Sequence, residues 1–305
     1  MISCLDTKHV SPVPLTDFLV MDLPTREYIV KPFLPQKGLI EVYAAPGIGK
    51  TTFAITFSIA AALGKSFLHW EITRPWRVLY IDGEMEAADM RERINAAANY
   101  FNVKSDIITN FQILSADLND GVLPDIGSTY AHNTYKEMFE WAEVIILDNI
   151  SSLWLSSKEN DADAWSPIRK WLSEIKSTGR SVVLIHHANK SGTSRGSSKR
   201  HDALDTVIRL ERPFKYEQQD GAIFEVHYEK GRGFFGKDKE PIGLKYSTVG
   251  GCAKWESFAV GLEKYEEVTN LRNQGLSQQA IAEQLGLSQG EVSKRLGVAA
   301  KKGLL

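Results

Sequence analysis

Residues 38–63 constrain the fold more than any other part of the sequence. A short run of strand formers at 38–44 leads into a turn rich in glycine and proline, and an apolar, helix-like run at 50–63 follows. The glycines allow the turn to curl, so that backbone N–H groups and the amino terminus of the helix face one point. This arrangement predicts a phosphate-binding loop. The alternative interpretation is a glycine-rich turn that binds nothing.

The predicted loop indicates ATP with Mg²⁺ as the ligand. Lys50 would bring its charge to the β- and γ-phosphates, and Thr51 would bind the Mg²⁺. Ala44 stands where the motif usually has its first glycine, a place that a small residue can fill. Contacts with the nucleotide are expected from eight consecutive residues: Ala45, Pro46, Gly47, Ile48, Gly49, Lys50, Thr51 and Thr52.

Apolar runs recur along the chain in a pattern typical of an α/β fold. The runs at 78–81, 144–147 and 182–185 predict strands buried on both faces of a parallel sheet, and helical segments separate them. Later runs at 203–210 and 223–228 predict strands added at one edge. The fold class is therefore expected to be a P-loop core with a mainly parallel sheet, followed by a small all-α domain.

Two acidic positions complete the predicted site. Asp148 ends an apolar strand, which we expect to lie beside the strand of the phosphate loop, and its carboxylate would hold Mg²⁺ together with Thr51. Glu84 follows the predicted strand at 78–81 and is our choice for activating the attacking water, with Asp82 as the competing carboxylate. The alternative for each acid is a turn or helix cap.

Composition limits the remaining functions. The net charge of -2 excludes a generally polycationic nucleic-acid binder, and the two distant cysteines suit a reducing compartment, so we expect a cytoplasmic protein. We expect neither a signal peptide nor a membrane span. Predicted boundaries give an extended lead-in at 1–36, an ATPase domain at 37–260 and a helical domain at 261–305.

The last 45 residues are typical of a helix-turn-helix. Apolar residues recur at core spacing between residues 281 and 296, with Gly286 at the turn. The second helix would expose polar and basic groups toward duplex DNA: Gln289, Ser293, Lys294 and Arg295. A helical module that docks proteins is the alternative.

Further motifs resemble those of RecA-like ATPases of the plasmid-replication RepA group, which are hexameric helicases allied to DnaB. The strand-end run His186-His187-Ala188-Asn189-Lys190 and the later Arg195-Gly196-Ser197-Ser198 are similar to that family's motifs. The resemblance covers about residues 15–235. It implies a RecA-like fold, a homo-oligomer with a hexamer as the expected form, and Glu84 as the catalytic glutamate.

Histidine and basic residues supply the remaining candidates. His187, at a strand end, would sense the γ-phosphate, although a paired core histidine is the alternative. The basic segment that follows would contact single-stranded DNA within a ring, or be a solvated loop; its cations are Lys190, Arg195, Lys199 and Arg200.

RecA-like rings also place a cation from a neighbouring subunit against the γ-phosphate. Arg232, in the strand-end pair Lys230-Gly231-Arg232, is the first choice for this trans arginine and Arg195 the second. The alternative for each is a surface or nucleic-acid contact. One departure from the family is that Asp205 occupies the position at which the plasmid RepA prototype has the arginine that serves this role.

Two functions follow from these predictions. The first is an Mg²⁺-dependent ATPase that couples hydrolysis to DNA translocation or remodelling during replication of a plasmid, phage or integrated element. The second is a nonmotor, DNA-binding regulatory ATPase that is switched by its nucleotide state.

Overall fold

One sheet of nine strands organises the residues that the computed structural model describes, which are 11–155, 165–188, 198–213, 216–260, 263–301 and 305. The strands are β1 Tyr28–Val30, β2 Leu34–Pro35, β3 Leu39–Ala44, β4 Val78–Asp82, β5 Phe111–Ser115, β6 Val144–Asp148, β7 Ser181–His187, β8 Thr206–Glu211, β9 Ala222–Gly231, β10 Ile242–Val249 and β11 Cys252–Ala259.

The α-helices are α1 Leu15–Val20, α2 Lys50–Leu63, α3 Ala87–Tyr100, α4 Thr129–Trp141, α5 Ile150–Leu153, α6 Trp165–Ser177, α7 Ser198–Ala203, α8 Glu263–Asn273, α9 Gln278–Leu285 and α10 Gln289–Lys301. None of the helices within the described ranges is long and apolar enough to cross a membrane.

The strand order in the large sheet is β11-β10-β9-β8-β3-β7-β6-β4-β5. The six strands from β8 to β5 pair in parallel, and β9, β10 and β11 extend the sheet antiparallel beyond β8. Helices cover both faces of the parallel part, which explains why its central strands are continuous apolar runs. The predicted mainly parallel sheet with strands added at one edge is confirmed.

One face of the sheet is covered by α2 and α3. The α2 side chains Phe53 and Phe57 are fully buried, and Phe53 packs edge-on against Trp70. Gly64 ends α2 in the left-handed conformation with φ at 65°, and a Cβ there would lie 2.5 Å from the backbone nitrogen of Pro75. Only glycine fits this end without a shift of the backbone, so the position of α2 against the sheet is well defined.

The opposite face is covered by α4, α5 and α6. Helix α6 is amphipathic, because its apolar residues recur at helical spacing and face the sheet. Its buried side chains are Trp165, Ile168, Trp171, Leu172 and Ile175. Helix α4 begins at Ser128, whose hydroxyl accepts a hydrogen bond from the backbone of Ala131. The two helical layers fix the central strands whose ends form the site.

The core begins earlier in the chain than the sequence predicts. Within the predicted lead-in, α1 buries no side chain, but β1 and β2 pair antiparallel and pack into the main core. Phe33 contacts the ring of Tyr228 in β9, with ring centroids 6.4 Å apart. The prolines in this region led to the prediction of an extended lead-in, but the region also contains four fully buried apolar residues: Ile29, Val30, Phe33 and Leu34.

Helices α8, α9 and α10 have a small core of their own, formed by Val268, Ile281, Ala282, Val292 and Leu296. The hydroxyl of Ser277 caps α9, and that of Ser288 accepts a hydrogen bond from the backbone of Glu291. Gly286 ends α9 in the left-handed conformation. These contacts agree with the predicted helix-turn-helix.

Candidate nucleotide site

The candidate site lies at the edge of the sheet where the parallel strands end. In the strand register, Ala44 of β3 is opposite His187 of β7, and Asp82 of β4 is opposite Asp148 of β6. Parallel strands present their carboxyl ends at the same edge, so residues remote in sequence meet there. Lys50 begins α2 at this edge. The fold therefore brings the predicted phosphate loop, magnesium site and sensor histidine together.

The conformation of the loop depends on two glycines. Gly47 and Gly49 have φ angles of 74° and 119°, in the region that favours glycine. Gly49 is the N-cap of α2 and has no side chain to bind the first N–H groups of the helix. Those N–H groups remain available to a phosphate.

Lys50 is nearly buried, with 6% of its surface exposed. Its Nζ donates to the carbonyls of Ala44, at 3.2 Å, and Ala45, at 3.1 Å, and lies 3.2 Å from Nδ1 of His187. Burial lowers the pKa of Lys50 to about 8, against the raising effect of the Asp148 and Glu84 charges. A phosphate would supply the negative charge that this buried ammonium favours.

The predicted metal ligands form one hydrogen-bonded group. Asp148 is buried, and its carboxylate accepts hydrogen bonds from the Thr51 hydroxyl and, at 2.6 Å, from the Tyr80 hydroxyl. Burial raises the pKa of Asp148 above its usual value, although both hydrogen bonds lower it. A carboxylate and a hydroxyl are hard oxygen donors that fit Mg²⁺, which in phosphate sites needs one or two protein ligands beside the phosphates. The residues present therefore fit this ion.

The expected neighbour relation of the Asp148 strand is wrong. We predicted that β6 lies beside β3, but β7 lies between them. The first turn of α2 spans this gap, because Thr51 reaches the Asp148 carboxylate. His187, at the end of the intervening strand, consequently lies within the site.

The two competing acids after β4 have different environments. Asp82 is buried and accepts a hydrogen bond from the backbone of Met85 at 2.9 Å, which stabilises the turn. Burial is the main cause that raises the pKa of Asp82 to about 6. The Glu84 side chain is 54% exposed, and its Oε2 lies 3.9 Å from Nε2 of His187. Glu84 is thus the acid that solvent can reach beside the phosphate loop.

The two adjacent histidines of β7 point to opposite faces, as strand alternation predicts. His187 lies between Lys50 and Asn149, whose Nδ2 is 3.2 Å from its Nε2. His186 is buried and its Nδ1 lies 3.8 Å from a carboxylate oxygen of Glu41. Asn149, which also caps α5, was not among the predicted site residues. Its place directly after Asp148 was the sequence feature that could have identified it.

Two arginines near the phosphate loop were also not predicted from the sequence. Arg93 of α3 donates to the Thr52 hydroxyl at 3.1 Å. Arg212, after β8, donates to the carbonyl of Gly47 at 3.1 Å and lies 3.6 Å from the ring centroid of Tyr216. Neither belongs to a local motif, because tertiary packing alone brings α3 and the end of β8 to the loop.

Arg232 lies near the end of the sheet where the parallel strands begin, opposite the end that forms the candidate site. Strand β9 runs antiparallel, so its last residues pair with the beginning of β8, which in turn pairs with β3 near Ile40. Ile40 and Ala44 are separated by about 13 Å of strand at about 3.3 Å per residue. The Arg232 guanidinium donates to the carbonyl of Asp202 at 2.6 Å. One copy of the chain does not bring Arg232 to its own Lys50.

Asp205 is a buried acid whose carboxylate accepts three hydrogen bonds. Its carboxylate accepts from the Lys176 ammonium at 2.6 Å, the backbone of Leu39 at 2.9 Å and the Arg26 guanidinium at 3.3 Å. Burial opposes ionisation, but the hydrogen bonds and the charges of Lys176 and Arg26 hold the pKa of Asp205 below its usual value. This acid joins α6, β3 and the amino-terminal region.

The predicted DNA-contact residues divide into two groups. In the basic segment, Lys190 and Arg195 lie outside the described residues, and the backbones of Lys199 and Arg200 lie in α7. On α10, three of the four predicted contact residues are exposed, namely Gln289, Ser293 and Lys294. Arg295 is half-buried and pairs with Glu291 one turn earlier.

Comparisons with known proteins agree with this geometry. Residues 6–193 match the family described as AAA domain, and residues 271–305 match the family of winged helix-turn-helix DNA-binding domains. The DNA repair protein RadA of Brucella abortus (strain 2308) is 25% identical over 177 residues, which are 54% of this chain and 32% of that protein. The chain thus spans about a third of the length of this relative.

Similar solved structures show the fold. Flagellar accessory protein FlaH from Methanocaldococcus jannaschii has a TM-score of 0.51 at 15% identity, over 72% of this chain and 90% of its own. The RadB recombinase has a TM-score of 0.50 at 14% identity, with coverages of 70% and 88%. A KaiC-like protein, PH0186 from Pyrococcus horikoshii OT3, has a TM-score of 0.50 at 17% identity, with coverages of 75% and 93%.

The first family match spans more than half of the chain, and its residues include the loop, Asp148 and His187. The chain therefore belongs to the AAA domain family, as a P-loop ATPase with a RecA-like fold and a carboxyl-terminal helix-turn-helix.

Proposed function

We propose that this ATPase uses Mg²⁺ and couples ATP hydrolysis to translocation on DNA, or remodelling of DNA, during replication of a plasmid, phage or integrated element. The observation that carries the proposal is the convergence of Lys50, Thr51, Asp148, His187 and Glu84 at one sheet edge. The helix-turn-helix match and the exposed polar face of α10 support DNA as the partner.

Each residue of the site has a defined task in this proposal. Lys50 exchanges the carbonyls of Ala44 and Ala45 for the β- and γ-phosphate oxygens. Thr51 and Asp148 would hold Mg²⁺, which neutralises phosphate charge when bound. Glu84 orients the attacking water and accepts its proton. His187 contacts the γ-phosphate.

Arg232 is our choice for the cation supplied by a second subunit. Its position at the edge opposite Lys50 suits action in trans, because it would serve the nucleotide of a neighbouring copy. Arg195 is the second choice. A cytoplasmic ring of identical subunits, a hexamer by resemblance to the RepA group, would place Lys190, Lys199 and Arg200 against single-stranded DNA while the carboxyl-terminal domain binds duplex DNA.

A second candidate is a nonmotor ATPase whose nucleotide state switches DNA binding. The helix-turn-helix match favours this candidate, since such modules bind duplex DNA without moving along it. Strand separation of a tailed duplex distinguishes the two candidates. The motor separates the strands only with hydrolysable ATP, whereas the switch binds the duplex and leaves it paired.

The test begins with ATP turnover with and without single-stranded DNA. Glu84→Gln should retain ATP binding and lose turnover by about a hundredfold or more, because a general base contributes about 10²- to 10⁴-fold. Glu86→Gln is the matched control, since Glu86 is an exposed acid two residues away. Equal turnover in Glu84→Gln and wild type would remove Glu84 from the mechanism. Turnover that does not respond to DNA would contradict the coupling.

Duplex binding is tested separately on α10. Lys294→Ala should weaken duplex binding and reduce its dependence on salt, because each phosphate contact releases counterions. Lys245→Ala, at an exposed lysine of β10, is the matched control. Unchanged duplex affinity in Lys294→Ala would count against this face of α10 as the DNA surface.

A further inference from the structure

A buried acid lies in the strand that leads to the phosphate loop. Glu41 of β3 has no exposed surface, although it is three residues before Ala44. One carboxylate oxygen lies 3.3 Å from Nε2 of His201 in α7, and the other lies 3.8 Å from Nδ1 of His186. A carboxylate in such a position is costly without polar partners, and its contact with His201 joins α7 to β3. The proposed hydrolysis uses none of these three side chains.

Helix α7 in turn holds the basic pair at the end of β9. The Lys230 ammonium donates to the carbonyls of His201 and, at 3.2 Å, Asp202. The Arg232 guanidinium also donates to the Asp202 carbonyl, and its backbone N–H donates to the Asp205 carbonyl at 2.8 Å. Cations are favoured at a helix carboxyl end, where carbonyls lack helical partners. The location of α7 therefore sets the location of both cations.

We propose that Glu41 and His201 are positioning residues that place Lys230 and Arg232 to reach the nucleotide bound by a second copy of this chain. The inference rests on the proposed trans role of Arg232. Helix α7 is short, with six residues. The contact between His201 and Glu41 ties this short helix to the rigid central strand β3. A movement of α7 would displace both cations, because its last carbonyls bind them.

The expected effect is on turnover rather than on ATP affinity. His201→Phe keeps a ring of similar size but removes the ring nitrogen that lies 3.3 Å from the Glu41 carboxylate. Displacement of a catalytic cation by about 1 Å can lower a rate about a hundredfold, so we expect kcat to fall about 10- to 100-fold. The KM for ATP should change less than about twofold, because Lys50 and Thr51 are untouched. His201→Gln retains an N–H donor and should keep turnover within about threefold of wild type.

Co-expressed mixtures of two variants test the inference. Lys50→Ala has a defective phosphate loop and an intact basic pair, whereas Arg232→Ala has the reverse. A mixed oligomer of these two should recover turnover at interfaces that join an intact loop to an intact arginine. His201→Phe should likewise recover turnover when mixed with Lys50→Ala, but not when mixed with Arg232→Ala. A defect limited to folding would be rescued by neither partner.

Four results overturn the inference. The first is failure of Lys50→Ala to rescue His201→Phe, and the second is rescue of His201→Phe by Arg232→Ala. The third is a loss in His201→Gln as large as that in His201→Phe. The fourth is failure of Lys50→Ala to rescue Arg232→Ala, which would also remove the trans role from the proposed function. If His201→Phe does not fold, Glu41→Leu, which removes both carboxylate oxygens, must give the same pattern of rescue.

Discussion

The buried ammonium of Lys50 predicts that replacing it stabilises the protein in the absence of nucleotide. The fall of the Lys50 pKa from 10.5 to about 8, caused first by burial, corresponds to a cost of about 3 kcal/mol for carrying the charge in the folded state. Lys50→Met keeps most of the packing but loses the hydrogen bonds to Ala44 and Ala45, each worth about 1 kcal/mol. We therefore expect Lys50→Met to raise the free energy of unfolding by about 1 kcal/mol at pH 7.

The pH dependence of this gain gives the sharper test. Between about pH 8 and 10.5, the unfolded chain binds a proton that the folded chain has released from Lys50, so the stability of the wild type rises with pH in that window. The advantage of Lys50→Met should therefore disappear by about pH 10. ATP with Mg²⁺ should stabilise the wild type and leave Lys50→Met unchanged, since binding to the folded state alone shifts the equilibrium.

Urea unfolding at pH 7 and at pH 10 measures both effects. Lys136→Met, at an exposed lysine on α4, is the matched control and should change stability little at either pH. A lower stability of Lys50→Met than of the wild type at pH 7 would contradict the prediction. A difference between the two proteins that is the same at both pH values would contradict it equally.

Three further predictions concern the neighbours of the loop. The pKa of Asp82 is raised to about 6, so the wild type loses stability as pH rises from about 4 to about 6. In urea unfolding, the free energy of unfolding of Asp82→Asn relative to the wild type should therefore increase by about 2 kcal/mol between pH 4 and pH 7. A difference that does not change with pH would contradict this prediction. Tyr80→Phe removes the hydroxyl that donates to buried Asp148 and should lower the free energy of unfolding by about 1–3 kcal/mol, so a change below about 0.5 kcal/mol would refute the buried hydrogen bond. Arg93→Leu should raise the KM for ATP about fivefold with little change in kcat, because it removes a contact to the loop residue Thr52 worth about 1 kcal/mol. Steady-state kinetics measures both constants, and a fall in kcat with an unchanged KM would refute this prediction.

The sequence alone identified the local features. A loop containing Gly47, Gly49 and Lys50 needs only nearby residues to form, because backbone N–H groups and a helix start are properties of consecutive residues. The same holds for the small core and the caps of α9 and α10, where Ser277 and Gly286 act on their own helix. The opposite directions of His186 and His187 likewise follow from strand alternation, which is a local property.

Only the tertiary structure determined which strands are neighbours. The insertion of β7 between β3 and β6 places His187 against Lys50 and Asn149, and no local pattern contains strand order. Likewise, the contacts of Arg93 with the loop depend on how α3 packs against α2. The contact of Glu41 with His201 joins residues far apart in the chain, and burial of that carboxylate is a property of the completed core. Local backbone chemistry specifies the phosphate loop, whereas long-range packing specifies what surrounds it.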